Sequence, residues 1–258
     1  MKDSIKGLWR LVQPLRNYGL KYPIQIWGAY YRFCKSWKNY NTGEKKLSFR
    51  YISPVLDFRN EDAQSGGGHY FYQDVWALRK LAKLRPDMHY DIGSRFDGFV
   101  GQATAICNVT CIDIRPPGFK LPDFYFKEGN ILRLPFESNS LSSLSCLHTI
   151  EHIGLGRYGD VLNLRGFEEA LRELQRVLLP GGSLLLSMPI GKERVEFNAQ
   201  RILNPTMCIQ YLNEMELIEF SVVNDDDEFL TDVPPDLYAE ARYGCGMYFF
   251  KKRMNLNR

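Results

Sequence analysis

The sequence has no apolar run approaching the roughly 18 to 20 residues that a membrane-spanning helix requires. Its opening residues lack the apolar stretch and small-residue cleavage site of a secretory leader, so a cytoplasmic protein is expected. The six cysteines show no C-x-x-C spacing, which argues against a disulfide frame or a zinc knuckle. G-x-G-x-x-G is absent from the turn at 91–98, which counts against a dinucleotide. No internal repeat is visible, and beyond the first 40 residues there is no basic strip interleaved with stacking aromatics. Nucleic acid is therefore not an expected partner.

What remains is the composition of a globular chain. With 258 residues, 45% hydrophobic and 24% charged, it can bury one large core and carry an extension besides. The net charge of +3 hides an asymmetry, because residues 1–40 hold eight Lys or Arg against Asp3 alone. The same segment contains Trp9, Trp27 and Trp37 among nine aromatics, interrupted by Pro14 and Pro23. Residues 1–49 thus read as a basic, aromatic-rich extension and 50–258 as the main domain. The aromatics of the extension either pack on protein or lie on an anionic membrane surface, the peripheral contact that such a composition permits.

From about residue 70, helical periodicity alternates with short apolar runs. Tyr70–Leu84, Asp97–Cys107 and Gly166–Leu179 predict helices, the second opening on an Asp97 cap and the third ended by Pro180, Gly181 and Gly182. Strands are predicted over Met88–Ile92, Val109–Ile114, Phe124–Lys127, Leu141–Leu147, Ser183–Met188, Leu217–Val223 and Met247–Phe250. Apolar runs separated by helices indicate an α/β domain, doubly wound around a mostly parallel sheet.

In such a sheet the residues that carry chemistry follow the strands. After the first strand, Asp91-Ile92-Gly93-Ser94 forms a turn in which Gly93 permits close approach of a ligand to the backbone. The second strand ends in Asp113, about 20 residues on, where a carboxylate can hold a ribose diol. Taken in order, D-I-G-S (91–94), I-D (112–113), E-G-N-I-L-R-L-P-F (128–136), L-H-T-I-E-H (147–152) and R-E-L-Q-R-V-L-L-P-G-G-S-L-L-L-S-M-P (172–189) resemble the class I S-adenosylmethionine-dependent methyltransferases. I-G-L-G-R-Y-G-D (153–160) and G-K-E-R-V-E-F-N (191–198) look closest to a little-characterised bacterial methyltransferase-like family.

The resemblance implies a Rossmann-like, seven-stranded methyltransferase fold whose last strand is antiparallel, with S-adenosylmethionine as cofactor. It places Asp91, Gly93 and Ser94 against the methionine part, Asp113 and Ile114 at the ribose, Asn130 and Ile131 beside the adenine, and Leu147 and His148 beneath the sulfonium. One departure stands out: Arg95 and Asp97 occupy the later glycine positions of the family's D-x-G-x-G-x-G turn. Arg95 could pair with the cofactor's carboxylate, or the bulky turn could leave a catalytically silent binding module. The string His148-Thr149-Ile150-Glu151-His152 also matches a zinc peptidase pattern, but it follows a strand and meets Gly154 and Gly156, so no metal is expected.

Methyl transfer is an in-line displacement that depends chiefly on positioning, with a base helpful but not obligatory. Glu151 and His152 are the candidates for that base. Arg157, Lys192, Arg194 and Arg201, near Asn198 and Gln200, suit an anionic small-molecule substrate. The expected activity is transfer of a methyl group to oxygen or nitrogen of a small polar molecule, with a saccharide or sugar nucleotide favoured by the resemblance.

Overall fold

The computed structural model describes residues 8–15, 25–42, 48–49, 52–56, 67–197 and 199–254. The chain divides into two units, Met1–Ser65 and Gly66–Arg258. In the first, helical backbone runs over 8–15 (α1) and Gln25–Tyr40 (α2). Ile26, Ala29 and Leu56 are buried together, with Leu15, Tyr30 and Phe33 packed against them, and the Tyr30 hydroxyl donates to the Leu11 carbonyl. Local packing thus absorbs part of the aromatic content, whereas Trp9 and Trp27 remain 63% and 67% exposed. Pro23 lies outside the described residues. Among the described residues no helix is long and apolar enough to cross a membrane.

The second unit is the α/β domain. Its helices are α3 (Gly68–Leu84), α4 (Gly101–Ala103), α5 (Gly166–Val177) and α6 (Met207–Tyr211). Its strands are β1 (Met88–Ile92), β2 (Asn108–Asp113), β3 (Phe124–Glu128), β4 (Leu141–Leu147), β5 (Leu178–Ile190), β6 (Arg194–Glu196), β7 (Gln200–Ile202), β8 (Met215–Val223), β9 (Phe229–Leu230) and β10 (Gly244–Lys252). The main sheet runs β3-β2-β1-β4-β5-β10-β8-β9, and β6 with β7 forms a separate hairpin. The first five strands pair in parallel, while β10 is antiparallel to both β5 and β8.

Alternation along each strand divides the core in two. On one face Leu184, Leu186 and Met188 of β5, with Tyr248 and Phe250 of β10, meet Phe167, Ala170, Leu171, Leu174 and Val177 of α5. On the other, Leu185, Cys245, Met247 and Phe249 meet Trp76, Ala77 and Leu81 of α3. Both faces are covered, as a parallel sheet requires.

Three expectations need correction. The sheet has eight strands rather than seven, because Phe229–Leu230 pairs with Val222 and Val223 at the edge, and two residues are too few to generate a periodicity. Helix α5 ends at Val177, and Pro180-Gly181-Gly182 lies inside β5, beside a register shift against β4. Finally, Asp97 caps no helix: the chain passes through a wide, kinked turn over Phe96–Val100 before the single turn of α4, and no side chain caps its start.

Leu174 is fully buried between α5 and the sheet. Leu174→Ala should cost about 2–5 kcal/mol, read as a lowered thermal midpoint with the helical content of the folded protein unchanged.

Candidate functional site

Strand order reverses at β1, which lies between β2 and β4, so a cleft opens beyond the carboxyl ends of these strands. The floor of that cleft is held by Asp91. Its carboxylate accepts from the Ser94 N–H at 3.0 Å and the Ser94 hydroxyl at 2.7 Å, and from the Ser145 hydroxyl on β4. Ser94 Oγ in turn accepts from Leu147 N–H at 3.1 Å, tying the turn after β1 to the end of β4. Behind this, the Ser145 oxygen lies 2.9 Å from His89 Nε2, and His89 Nδ1 lies 2.7 Å from Ser143 Oγ. Since Ser145 gives its proton to Asp91, His89 Nε2–H must donate to Ser145 and Nδ1 must accept from Ser143. That neutral tautomer agrees with burial pushing the His89 pKa down to about 3. Burial also raises Asp91, to about 6.

Gly93 follows with φ of 69°, and a Cβ there would stand 2.7 Å from Thr149 Cγ2, so the residue is glycine for both backbone and space. Beside it an inner cavity of about 380 Å³ is lined by Gly93, Asp113, Ile114, Asn130, Ile131 and His148, all singled out from the sequence. Arg115 and Val161 also line it and were not. Arg115 could have been suspected from its position two residues after Asp113: its backbone N–H and Nε donate to Asp113 Oδ1 at 2.9 and 3.2 Å, and its guanidinium lies 4.7 Å from the Tyr158 ring centroid.

An outer cavity of about 560 Å³ shares Gly93, Asp113, Arg115, His148, His152 and Tyr158 with the inner one, and adds Ser94, Arg95, Asp97 and Arg157. Arg95 and Asp97 do not plug the cleft. Their side chains are 55% and 73% exposed and grip each other through two hydrogen bonds, of 3.1 and 2.8 Å. The Arg95 guanidinium stacks 4.7 Å above Tyr70.

Several expected residues lie elsewhere. Asp91 and Leu147 are buried and line neither cavity. Arg201 is buried, its guanidinium donating to the Glu151 and Ile153 carbonyls at 3.3 and 2.6 Å, so it braces a loop. Lys192 is exposed outside both cavities, and Arg194, paired with Glu196 at 2.9 Å, borders a different one beside His69 and Tyr243. Asn198 lies outside the described residues.

The string 148–152 is not a metal-binding helix. His148 adopts φ of 48°, and Ile150–His152 is a single 3-10 turn. His152 lines both cavities, with Nδ1 2.7 Å from the Ala199 carbonyl. Only an Nδ1–H can satisfy that contact, which leaves Nε2 as the acceptor; Arg157, 2.9 Å from the same carbonyl, shares it. Burial lowers the His152 pKa, so the ring is neutral near pH 7. Glu151 is fully buried, and both carboxyl oxygens lack a hydrogen-bond partner. Desolvation pushes its pKa up to about 8, so it is protonated at neutral pH, and it lines neither cavity.

A family model described as Caenorhabditis protein of unknown function, DUF268, matches residues 137–231. No curated protein matches the sequence. Among solved structures, the chain resembles the [4+2]-cyclase SpnF with a TM-score of 0.53 and 13% identity, over 76% of this chain and 86% of that one. A candidate methyltransferase from Bacillus halodurans gives 0.51 at 14% identity, over 70% and 99%. Phosphoethanolamine N-methyltransferase 2 of Haemonchus contortus gives 0.50 at 12% identity, over 70% and 52%. At these identities the likeness defines the architecture: this is the Rossmann-like fold of the class I methyltransferases.

Glu151 holds its proton more tightly folded than unfolded, so its contribution to stability is complete below about pH 4.5 and is lost as pH rises toward 8. Glu151→Gln should therefore match the wild type near pH 4 and exceed it by a few kcal/mol at pH 8. Denaturant midpoints measured across that range test this; curves for the two proteins that run parallel would refute it.

Proposed function

We propose that the protein transfers a methyl group from S-adenosylmethionine to oxygen or nitrogen of a small anionic molecule. The observation that carries this reading is the junction of two unlike cavities. The inner one is walled by aliphatic side chains and ends in the Asp113 carboxylate, and the outer one is rimmed by Arg95, Arg115 and Arg157. Gly93 and His148 line both.

The donor set fits the cofactor. Asp113 presents two carboxylate oxygens, now engaged by Arg115, that can accept from a ribose diol. Ile112, Ile131 and Asn130 offer an apolar slot with one amide for a purine. A structural neighbour's description names S-adenosylhomocysteine as bound to it, which supports the same choice here. When bound, the cofactor supplies an electrophilic methyl group on sulfur.

The chain's own residues then orient and deprotonate. Guanidiniums at the outer rim bind a phosphate or carboxylate through paired donors, which favours a sugar nucleotide or similar anion. His152, uncharged and lining both cavities, takes the proton of the attacking hydroxyl or amine. Closely packed aliphatic walls exclude competing water and hold the reactants in line.

Calorimetric titration with S-adenosylmethionine and S-adenosylhomocysteine should show micromolar binding, weakened at least about tenfold, or about 1.4 kcal/mol, in Asp113→Ala. No heat at millimolar ligand would favour a silent module instead, one in which the Asp113–Arg115 and Arg95–Asp97 pairs merely close the turn.

A further inference from the structure

Three side chains from distant parts of the chain converge beside the cleft: His69 on the first turn of α3, His148 just beyond β4, and Cys245 on β10. Their ligand atoms all lie within 4.8 Å of one another. Sheet order produces the meeting, since β4 and β10 flank β5 on either side and α3 packs on the face to which Cys245 points.

His148 is held in the state of a metal-bound imidazole. Its backbone N–H donates to the Ser187 carbonyl at 3.0 Å and the Ser187 hydroxyl oxygen at 3.2 Å. The Ser187 proton goes to Gln73 Oε1, and the Gln73 amide is oriented by its own donation to Asp74 at 3.1 Å. Ser187 Oγ can therefore only accept from His148 Nδ1, 3.3 Å away, and Nδ1 carries the ring proton. Nε2 is left as a bare lone pair, buried and without a partner. An orphaned imidazole nitrogen of this kind needs a ligand, and a serine holding the opposite nitrogen is the outer support that metal-bound histidines use. His69 meets His148 edge-on at 5.9 Å and stacks on Tyr243 at 4.9 Å. Cys245 adds a fully buried, unbridged thiol.

We propose that His69, His148 and Cys245 bind one zinc ion. Two imidazoles and a thiolate suit a borderline-soft ion, not the oxygen-seeking Mg²⁺ or Ca²⁺. Bonds of about 2.3 Å to sulfur and 2.0–2.1 Å to nitrogen bring tetrahedral ligand atoms to about 3.3–3.6 Å apart, so the present cluster, within 4.8 Å, closes by roughly 1 Å. Binding converts the Cys245 thiol to thiolate and releases one proton per ion to solvent. Three protein ligands leave one tetrahedral position for water or for an acceptor oxygen. Activation of that acceptor rests on the methyltransferase reading; the ion site does not.

Equilibrium dialysis of the full chain against Zn²⁺, followed by metal analysis, should give one ion per chain. Replacement with Co²⁺ should produce a thiolate-to-metal charge-transfer band in the near ultraviolet. Cys245→Ser should remove the band, and His69→Ala should weaken binding at least about tenfold. His69 is only partly buried, so His69→Ala keeps the test readable if Cys245→Ser fails to fold. The site is overturned if the wild type retains no stoichiometric ion, if its Co²⁺ form lacks the band, or if His69→Ala binds as tightly as the wild type. Titration of the same samples with S-adenosylhomocysteine separates the two proposals. Binding by a protein that retains no ion removes the zinc site alone, and an ion without cofactor binding removes the cofactor reading alone.

Discussion

The cleft depends on one buried carboxylate. Asp91 is the penultimate residue of β1 with no exposure to water, and an ion placed there would be expelled were it not met by donors from three directions. The Ser94 amide, the Ser94 hydroxyl and the Ser145 hydroxyl supply them. Because one donor group belongs to the turn and another to β4, satisfying the charge also sets the distance between the two strands that bound the cleft. Ser94 relays the restraint to the amide of Leu147. The geometry of Gly93 and His148 follows from there, since Gly93 directly precedes Ser94 and His148 directly follows Leu147.

Three acids near the strand ends show how environment assigns roles to one functional group. Asp91 is buried but surrounded by donors, so its pKa stops at about 6. Glu151 is equally buried with no donor on either oxygen, and it goes up to about 8. Asp113 stands at the cavity wall, paired with Arg115. Burial is common to the first two; hydrogen bonding separates a clamp from a neutral, hidden acid.

The architecture was legible because parallel strands covered on both faces must be apolar throughout, and helices between them must repeat with their own period. Six residues of the inner cavity were legible for a related reason: Gly93, Asp113, Ile114, Asn130, Ile131 and His148 each end a strand or follow one closely. What could not be read was pairing. Arg95 looked free to take an anion, and only the kinked turn brings Asp97 within two hydrogen bonds of it. Arg201 looked like a loop cation, yet the β6–β7 hairpin turns it inward onto two carbonyls. Such outcomes depend on where a side chain's counter-charge lies, which neither periodicity nor spacing records. The meeting of His69 with Cys245, at opposite ends of the domain, required the full strand order.

The altered turn after β1 changes how an anion can be held. A glycine-rich turn leading into a long helix offers backbone N–H groups and an aligned dipole. Here the helical segment is interrupted by Gly98, at φ −107° and ψ −109°, and α4 spans only Gly101–Ala103. So short and kinked an element sums to little dipole, and its first amides are not presented as a set. The cations at this end of the cleft are instead the guanidiniums of Arg95, Arg115 and Arg157, the first two paired with Asp97 and Asp113. Side chains are longer and more mobile than backbone amides, so an anion bound here would order arginines at an entropic cost that a preformed amide nest avoids. Stacking on Tyr70 holds the Arg95 guanidinium beside the cleft, but an anion would have to displace Asp97 from both of its donors.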